Sequence, residues 1–158
     1  MSNQVKAIPE GYHTITPHLV VDDAHGAIEF YKKAFNAKEL FRMAGPDDTI
    51  GHAELQIGDS RIMLSDESQM MNTESPNTLG GSSTSLYLYV ENVDALFHQA
   101  VQSGAKIKQE LKDQFWGDRV GGLEDPFGHR WSLATHVEDV APSDLEKRMK
   151  DMMAAQVD

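Results

Sequence analysis

One order of elements, strand, helix and then three strands, occurs twice in this chain at a nearly constant offset. That repeat restricts the fold to two similar units sharing a core. Asp23 matches Asn92, and Arg61-Ile62-Met63-Leu64 matches Arg130-Trp131-Ser132-Leu133, both 69 residues on. Asn36-Ala37-Lys38 matches Gly104-Ala105-Lys106 at 68, which implies a single-residue slip within the helices.

In the first unit a strand is expected over 14–21, with Pro17 limiting hydrogen bonding near its start. Asp23 is the expected cap of a helix over 24–35, whose apolar stripe is Ala27, Ile28, Tyr31, Ala34 and Phe35. Strands are expected over 38–43, 52–57 and 61–65. In the second of these, Ala53, Leu55 and Ile57 face one way and His52, Glu54 and Gln56 the other. The second unit opens with Leu86, Leu88 and Val90 alternating against Ser85, Tyr87 and Tyr89. Asn92 then caps a helix striped by Val93, Leu96, Phe97, Ala100 and Val101, and Gly104 stops it, as Asn36 follows the first helix. Strands over 106–111, 116–123 and 129–135 complete the repeat.

The stretch FWGDRVGGLEDPFGHRW, residues 115–131, closes the second unit. Asp125-Pro126-Phe127-Gly128 has the residue types of a type I turn: Asp first, Pro presetting φ at the second position, Gly fourth. It reads as a hairpin with arms ending near Trp116 and His136. The chain thus divides into a lead-in over 1–12, a module over 13–65, a linker or lid over 66–83, a second module over 84–137 and a helical tail over 138–158. In the tail, Ser143 and Glu146 form a capping box ahead of Leu145, Met149, Met152 and Met153.

Composition narrows function mainly by exclusion. The 158 residues, 40% hydrophobic and 25% charged, are those of an ordinary globular protein. No apolar run approaches the roughly 18 residues of a membrane span, and the N-terminus lacks the basic-then-apolar order of a secretion signal. Cysteine is absent, which removes disulfides, thiolate metal sites and cysteine nucleophiles and points to the cytoplasm. A net charge of −11 opposes nucleic-acid binding. No serine sits in a nucleophile elbow.

If the apolar strand faces cover the helix stripes, a second face carries Thr16, His18, His52, Glu54, Gln56, Arg61, Met63, Ser85, Tyr87, Tyr89, Arg130, Ser132 and His136. A flat solvated face would be rich in Lys and Glu. This mixture instead suits a concave site for a small organic molecule, although an exposed sheet face or a subunit contact would also accept it. Trp131 alternates toward the core, whereas Trp116 is a candidate cavity wall. Arg119 is a candidate for bidentate binding of a carboxylate or phosphate, with an internal ion pair to Asp118 or Glu124 as the alternative. His25 and His129 read as exposed or structural.

The duplicated unit, the stretch VVDD…AIEFYKKAFNAKEL and the ending FWGDR…EDPFGHRWSLATH resemble the vicinal oxygen chelate superfamily, which groups glyoxalase I, bleomycin-resistance proteins and extradiol dioxygenases. Within it the chain is most similar to the PhnB-like branch, over about residues 13 to 137. The resemblance implies an α+β fold of two tandem βαβββ modules with cup-shaped mixed sheets, and a homodimer. Metal-dependent members chelate a divalent ion with His or Gln on the first strand and Glu on the last strand of a module. Those positions fall here at Thr16, Met63, Ser85 and Ser132, none of them a usual ligand for zinc, nickel, iron or manganese. No cofactor is therefore expected, with a relocated divalent site built on His52, Glu54, His18 or His136 as the alternative.

Two functions follow as expectations. The first is a metal-independent small-molecule-binding protein using His18, Gln56, Tyr87, Tyr89, Trp116, Arg119 and His136. The second is a glyoxalase-type lyase or isomerase in which His52 or Glu54 moves a proton beside a carbonyl, with burial raising the Glu54 pKa.

Overall fold

The computed structural model describes residues 5–155, so the first four residues of the lead-in and the last three of the tail lie outside the described residues. The first module runs β1 (His18–Val21), α1 (Ala24–Phe35), β2 (Lys38–Ala44), β3 (Ile50–Ile57) and β4 (Ser60–Asp66). A connection carrying the short helix α2 (Pro76–Leu79) leads to β5 (Ser85–Tyr89), α3 (Val93–Gln102), β6 (Lys106–Asp113), β7 (Asp118–Glu124) and β8 (Arg130–His136). Helix α4 (Pro142–Ala155) ends the described chain. The fold is α+β, two tandem βαβββ modules. Their sheets are ordered β1-β4-β3-β2 and β5-β8-β7-β6. In each, the first strand runs parallel to the last and the other neighbours are antiparallel, so both sheets are mixed.

The repeat extends to individual hydrogen bonds. Asp23 accepts from the Gly26 amide at 2.9 Å and Asn92 from the Ala95 amide at 3.0 Å, capping α1 and α3 in the same way. Asp66 accepts the Ala24 amide at 2.7 Å, and Thr135, at the matching place on β8, accepts the Val93 amide at 3.0 Å. Register shows where the slip ends. Met63 lies between His18 and Glu54, and Ser132 between Tyr87 and Gly122. The last strands and first strands keep the longer offset, whereas β3 and β7 keep the shorter one. The final turn of the second module absorbs the difference.

That turn is the expected one. The Gly128 amide donates to the Asp125 carbonyl at 3.1 Å, and Gly128 takes φ 85°, a conformation that disfavours a Cβ. Asp125 also gathers its own surroundings: Oδ1 accepts the Phe127 and His129 amides at 2.9 and 3.0 Å, and Oδ2 accepts Trp131 Nε1 at 2.8 Å.

Two expectations need correction. β1 begins at His18 rather than residue 14, because Pro17 has no amide to donate; its carbonyl accepts from Met63 at 2.8 Å. The 66–83 connection carries α2, capped by Ser75, and a bridge between Ser68 and Thr73. The tail helix begins at Pro142, whose missing amide suits the first helical position. The Ala141 carbonyl receives the Leu145 amide at 3.2 Å, so Ser143 lies inside the helix and does not form a capping box with Glu146.

The modules share one core built from their helix-facing sides. Tyr31, Ile28 and Phe35 of α1 are buried with Leu55 and Leu64 of one sheet and Leu123, Trp131 and Leu133 of the other. The Phe35 and Trp131 ring centroids are 4.6 Å apart. Gln99 of α3 donates to the Lys33 carbonyl at 2.7 Å and to Asn36 Oδ1 at 2.9 Å, tying the two helices together. At Gly121 on β7 a Cβ would lie 2.4 Å from the Phe97 ring, so the helix–sheet contact requires glycine. The other face of each sheet therefore looks away from this core.

Candidate functional site

The outer face of the first sheet gathers His18, His52, Glu54 and Met63. β1, β4 and β3 place His18, Met63 and Glu54 in one row across neighbouring strands. His52 Nε2 lies 3.3 Å from Glu54 Oε1, the His18 and His52 rings are 6.1 Å apart, and His18 Nε2 lies 3.3 Å from Ser65 Oγ. Burial, with a smaller push from His52, lowers the His18 pKa, so this imidazole is neutral at pH 7.

The described part of the lead-in folds across this face and leaves a cavity of about 450 Å³ lined by Ile8, Tyr12, His13, Thr16, Glu54 and Met63, among others. Arg61 sits 4.6 Å above the Tyr12 ring. The Tyr12 hydroxyl is buried beside Glu54, outside full hydrogen-bonding geometry. Its approach, more than burial, sets the state of Glu54: Tyr12 lowers the carboxyl pKa, burial opposes, and His52 and Arg61 add to the lowering. The expectation of a raised Glu54 pKa is thus overturned, because polar neighbours outweigh the apolar cup.

The outer face of the second sheet has a different centre, Asp118. Only 3% exposed, its carboxylate accepts Tyr89 Oη at 2.8 Å, Tyr87 Oη at 3.0 Å and Trp116 Nε1 at 3.2 Å on Oδ2, and meets His136 Nδ1 at 2.8 Å on Oδ1. Burial pushes the Asp118 pKa up, but these four partners outweigh it and the group stays anionic. The same contacts raise His136, through Asp118 first and Asp139 second. Tyr87 is pushed up to about 12 by burial and by its bond to Asp118, so the phenol stays neutral. The FWGD turn delivers Trp116 and Asp118 to this place. Gly117 takes φ 97° and lies so close to Glu138 that a Cβ would stand 2.0 Å from its carbonyl oxygen.

Between the modules, a groove of about 680 Å³ runs along the free edge of β5. Its walls include Gln56, Asp59, Tyr87, Tyr89, Asn92 and Gln99. Gln56, Tyr87 and Tyr89 thus come together, from different modules. Trp116 and His136 join the tyrosines through Asp118, while His18, His52 and Glu54 form a separate group on the other sheet.

Arg119 joins neither group. It lies opposite Thr135 on the helix-facing side of β7, where it grips Asp94 at 2.7 and 2.8 Å and Asp113 at 3.1 Å. Strand alternation sends Arg119 away from its neighbour Asp118, so the guanidinium is an intramolecular clamp. His129 binds the Val20 carbonyl at 2.9 Å, and half-buried His25 lies 3.0 Å from the Asp48 carbonyl.

Two central residues escaped sequence reasoning. For Asp118 a signal existed: Tyr87, Tyr89 and His136 are hydrogen-bond donors assigned to one face, with Trp116 a candidate wall beside them, and that group required an acceptor. For Tyr12 there was none, since an irregular lead-in has no period from which to infer its docking.

At the four positions that the resemblance assigns to a metal, the donors do not suit one. Ser85 Oγ and Ser132 Oγ lie 3.2 Å apart and satisfy each other, while Thr16 and Met63 offer a neutral hydroxyl and a thioether. Among the described residues no three His, Asp or Glu side chains stand close enough to share an ion.

Comparison with known proteins agrees with this architecture. The family model of the Glyoxalase/Bleomycin resistance protein/Dioxygenase superfamily matches residues 11–133. The chain belongs to that superfamily. An uncharacterized protein of Mycobacterium tuberculosis (strain ATCC 25618 / H37Rv) is 45% identical over 138 residues, covering 85% of this chain and 81% of its own. The crystal structure of TioX from Micromonospora sp. ML1 superposes with a TM-score of 0.63 at 26% identity, over 79% of this chain and 99% of that one. A PhnB protein from Bacillus cereus, described as a putative 3-demethylubiquinone-9 3-methyltransferase, shares the fold with a TM-score of 0.61 at 22% identity, over 78% and 99% of the two chains. This member of the superfamily thus has its fold, two tandem βαβββ modules. No helix among the described residues is long and apolar enough to cross a membrane.

Proposed function

We propose that this superfamily member is a metal-independent binding protein for a small organic molecule, acting in the cytoplasm as a homodimer. The observation that carries the reading is the intermodule groove, which joins Gln56 of the first module to Tyr87 and Tyr89 of the second in a volume of about 680 Å³. Such a volume lies within the roughly 300–1,000 Å³ range of small-molecule sites. Polar groups that fix orientation line it together with apolar Phe35, Leu88 and Leu96. The hydroxyls and thioether at the metal positions favour recognition by shape and hydrogen bonding over chelation. Exposed Phe41 and Met43 on the first outer face, and the exposed tyrosines on the second, support pairing with another copy, which would bring the two polar groups to one cavity.

The lyase or isomerase alternative draws on neutral His18 beside the His52–Glu54 pair. Against it, a carboxylate whose pKa is lowered by its neighbours is a weaker proton acceptor.

Calorimetric titration of the whole protein with a panel of small organic molecules, with and without chelator, tests the reading. Saturable heats indifferent to chelator support it, and Tyr87→Leu is expected to weaken them. Binding or turnover that arises only with added zinc, nickel, iron or manganese would overturn it. Sedimentation velocity checks the dimer.

A further inference from the structure

The second outer face has a chemistry more particular than a general polar cavity. Tyr87, Tyr89 and Trp116 are 46%, 60% and 37% exposed, yet their polar heads all turn inward to one buried carboxylate oxygen. We propose that Tyr87 and Tyr89, seated with Trp116 on Asp118 and open to the groove along β5, form an aromatic wall for an organic cation of the alkylammonium class. The proposal rests on the binding reading above and names the guest that one wall of the site would take.

Three observations carry it. First, the two tyrosine rings lie side by side: the Tyr87 and Tyr89 centroids are 5.0 Å apart with planes at 44°. Adjacent aromatic faces suit a quaternary ammonium, because each ring presents a negative face to the cation. Second, every head donates to an anion. A phenol or indole whose proton points at a carboxylate has a more electron-rich ring, which strengthens that negative face.

Third, the local charge is negative whichever way His136 titrates. Asp118 lies beneath the rings and Asp139 lies 2.9 Å from the far nitrogen of His136. Two carboxylates therefore face one imidazole. Arg148 reaches the nearby Phe115 carbonyl, but Glu138 neutralises it at 2.6 and 2.9 Å, and Arg119 is turned to the opposite side of β7. The groove along β5 gives a guest room to reach both tyrosines.

The test is a titration of the full-length protein with choline and, separately, with 3,3-dimethylbutanol, its neutral carbon counterpart. Trp116 fluorescence is the readout, since Trp131, the other of the two tryptophans, is buried in the core. Choline is expected to change the emission saturably and to bind roughly tenfold tighter than the neutral alcohol. Tyr89→Leu, on an exposed edge-strand position, should remove roughly tenfold of that affinity, whereas Tyr89→Phe, which keeps the ring, should lose about threefold or less. Equal binding of choline and the alcohol would overturn the cation assignment while leaving the binding reading intact. Choline binding unaffected by Tyr89→Leu, or no saturable response to choline at all, would also overturn it. In that last case heats from other guests in the calorimetric panel would still uphold the binding reading.

Discussion

Tyr31 of the first helix donates its hydroxyl proton to Asp125 of the second module's turn at 2.7 Å, and both residues are buried. This bond crosses from one module to the other and meets the Trp131 indole on the same carboxylate oxygen. Burial raises the pKa of both groups, and the nearby carboxylate raises the phenol further. The motif DPFGHRW therefore does more than turn the chain: its aspartate anchors the first helix to the second sheet.

Tyr31→Phe keeps the ring packing and removes the donor. Oδ2 of Asp125 then retains only Trp131 in a site closed to water. The expected loss is about 1–3 kcal/mol of unfolding free energy, read as a lower urea midpoint with an unchanged slope.

Gly117→Ala places a methyl group against the Glu138 carbonyl at a positive φ. Destabilisation of about 1–3 kcal/mol is expected. The strain falls on the turn that carries Trp116, so its fluorescence should shift to the red even under native conditions. An unchanged spectrum would show that Trp116 is positioned by something other than this turn.

His136 gives a pH dependence with a definite sign. Its folded-state pKa is raised by Asp118 and Asp139, so the protonated imidazole is favoured in the fold. Its stabilising contribution is full below the ordinary imidazole pKa of about 6.5 and fades as pH rises through the folded value. The gap in stability between the wild type and His136→Gln should be widest in mildly acidic solution and should close in mildly alkaline solution. Paired urea titrations at the two pH values measure it.

Arg119→Gln separates an internal clamp from a ligand contact. The guanidinium is held by Asp94 and Asp113 at a partly exposed site, where solvent screening leaves such pairs little net effect on stability. A small loss of stability is expected with no change in guest affinity. A large loss of affinity would mean that Arg119 reaches the site after all.

Much of the architecture was legible because it is periodic. Alternation in 52–57 and 85–90 identified the two faces of each sheet, and the caps Asp23 and Asn92 located both helices. The unperiodic parts were not legible in that way: where β1 starts after Pro17, how residues 66–83 fold, and where the tail helix begins. Arg119 shows the limit within a periodic strand. Its neighbour Asp118 faces the rings, and one step of alternation puts Arg119 with the helix.

The amino-acid order by itself determined the duplicated βαβββ plan, the membership of Trp131 and Tyr31 in the core, and the unusual donors at Thr16, Met63, Ser85 and Ser132. Those follow from local rules of spacing and residue chemistry. Only the tertiary structure decided that the two polar groups occupy separate outer faces, that Tyr12 docks beside Glu54 and lowers its pKa, and that Asp118 is the acceptor for Tyr87, Tyr89, Trp116 and His136. Each of these depends on groups distant in sequence meeting in space. A buried carboxylate's partners are set by the packing of whole sheets and helices, which no local pattern encodes.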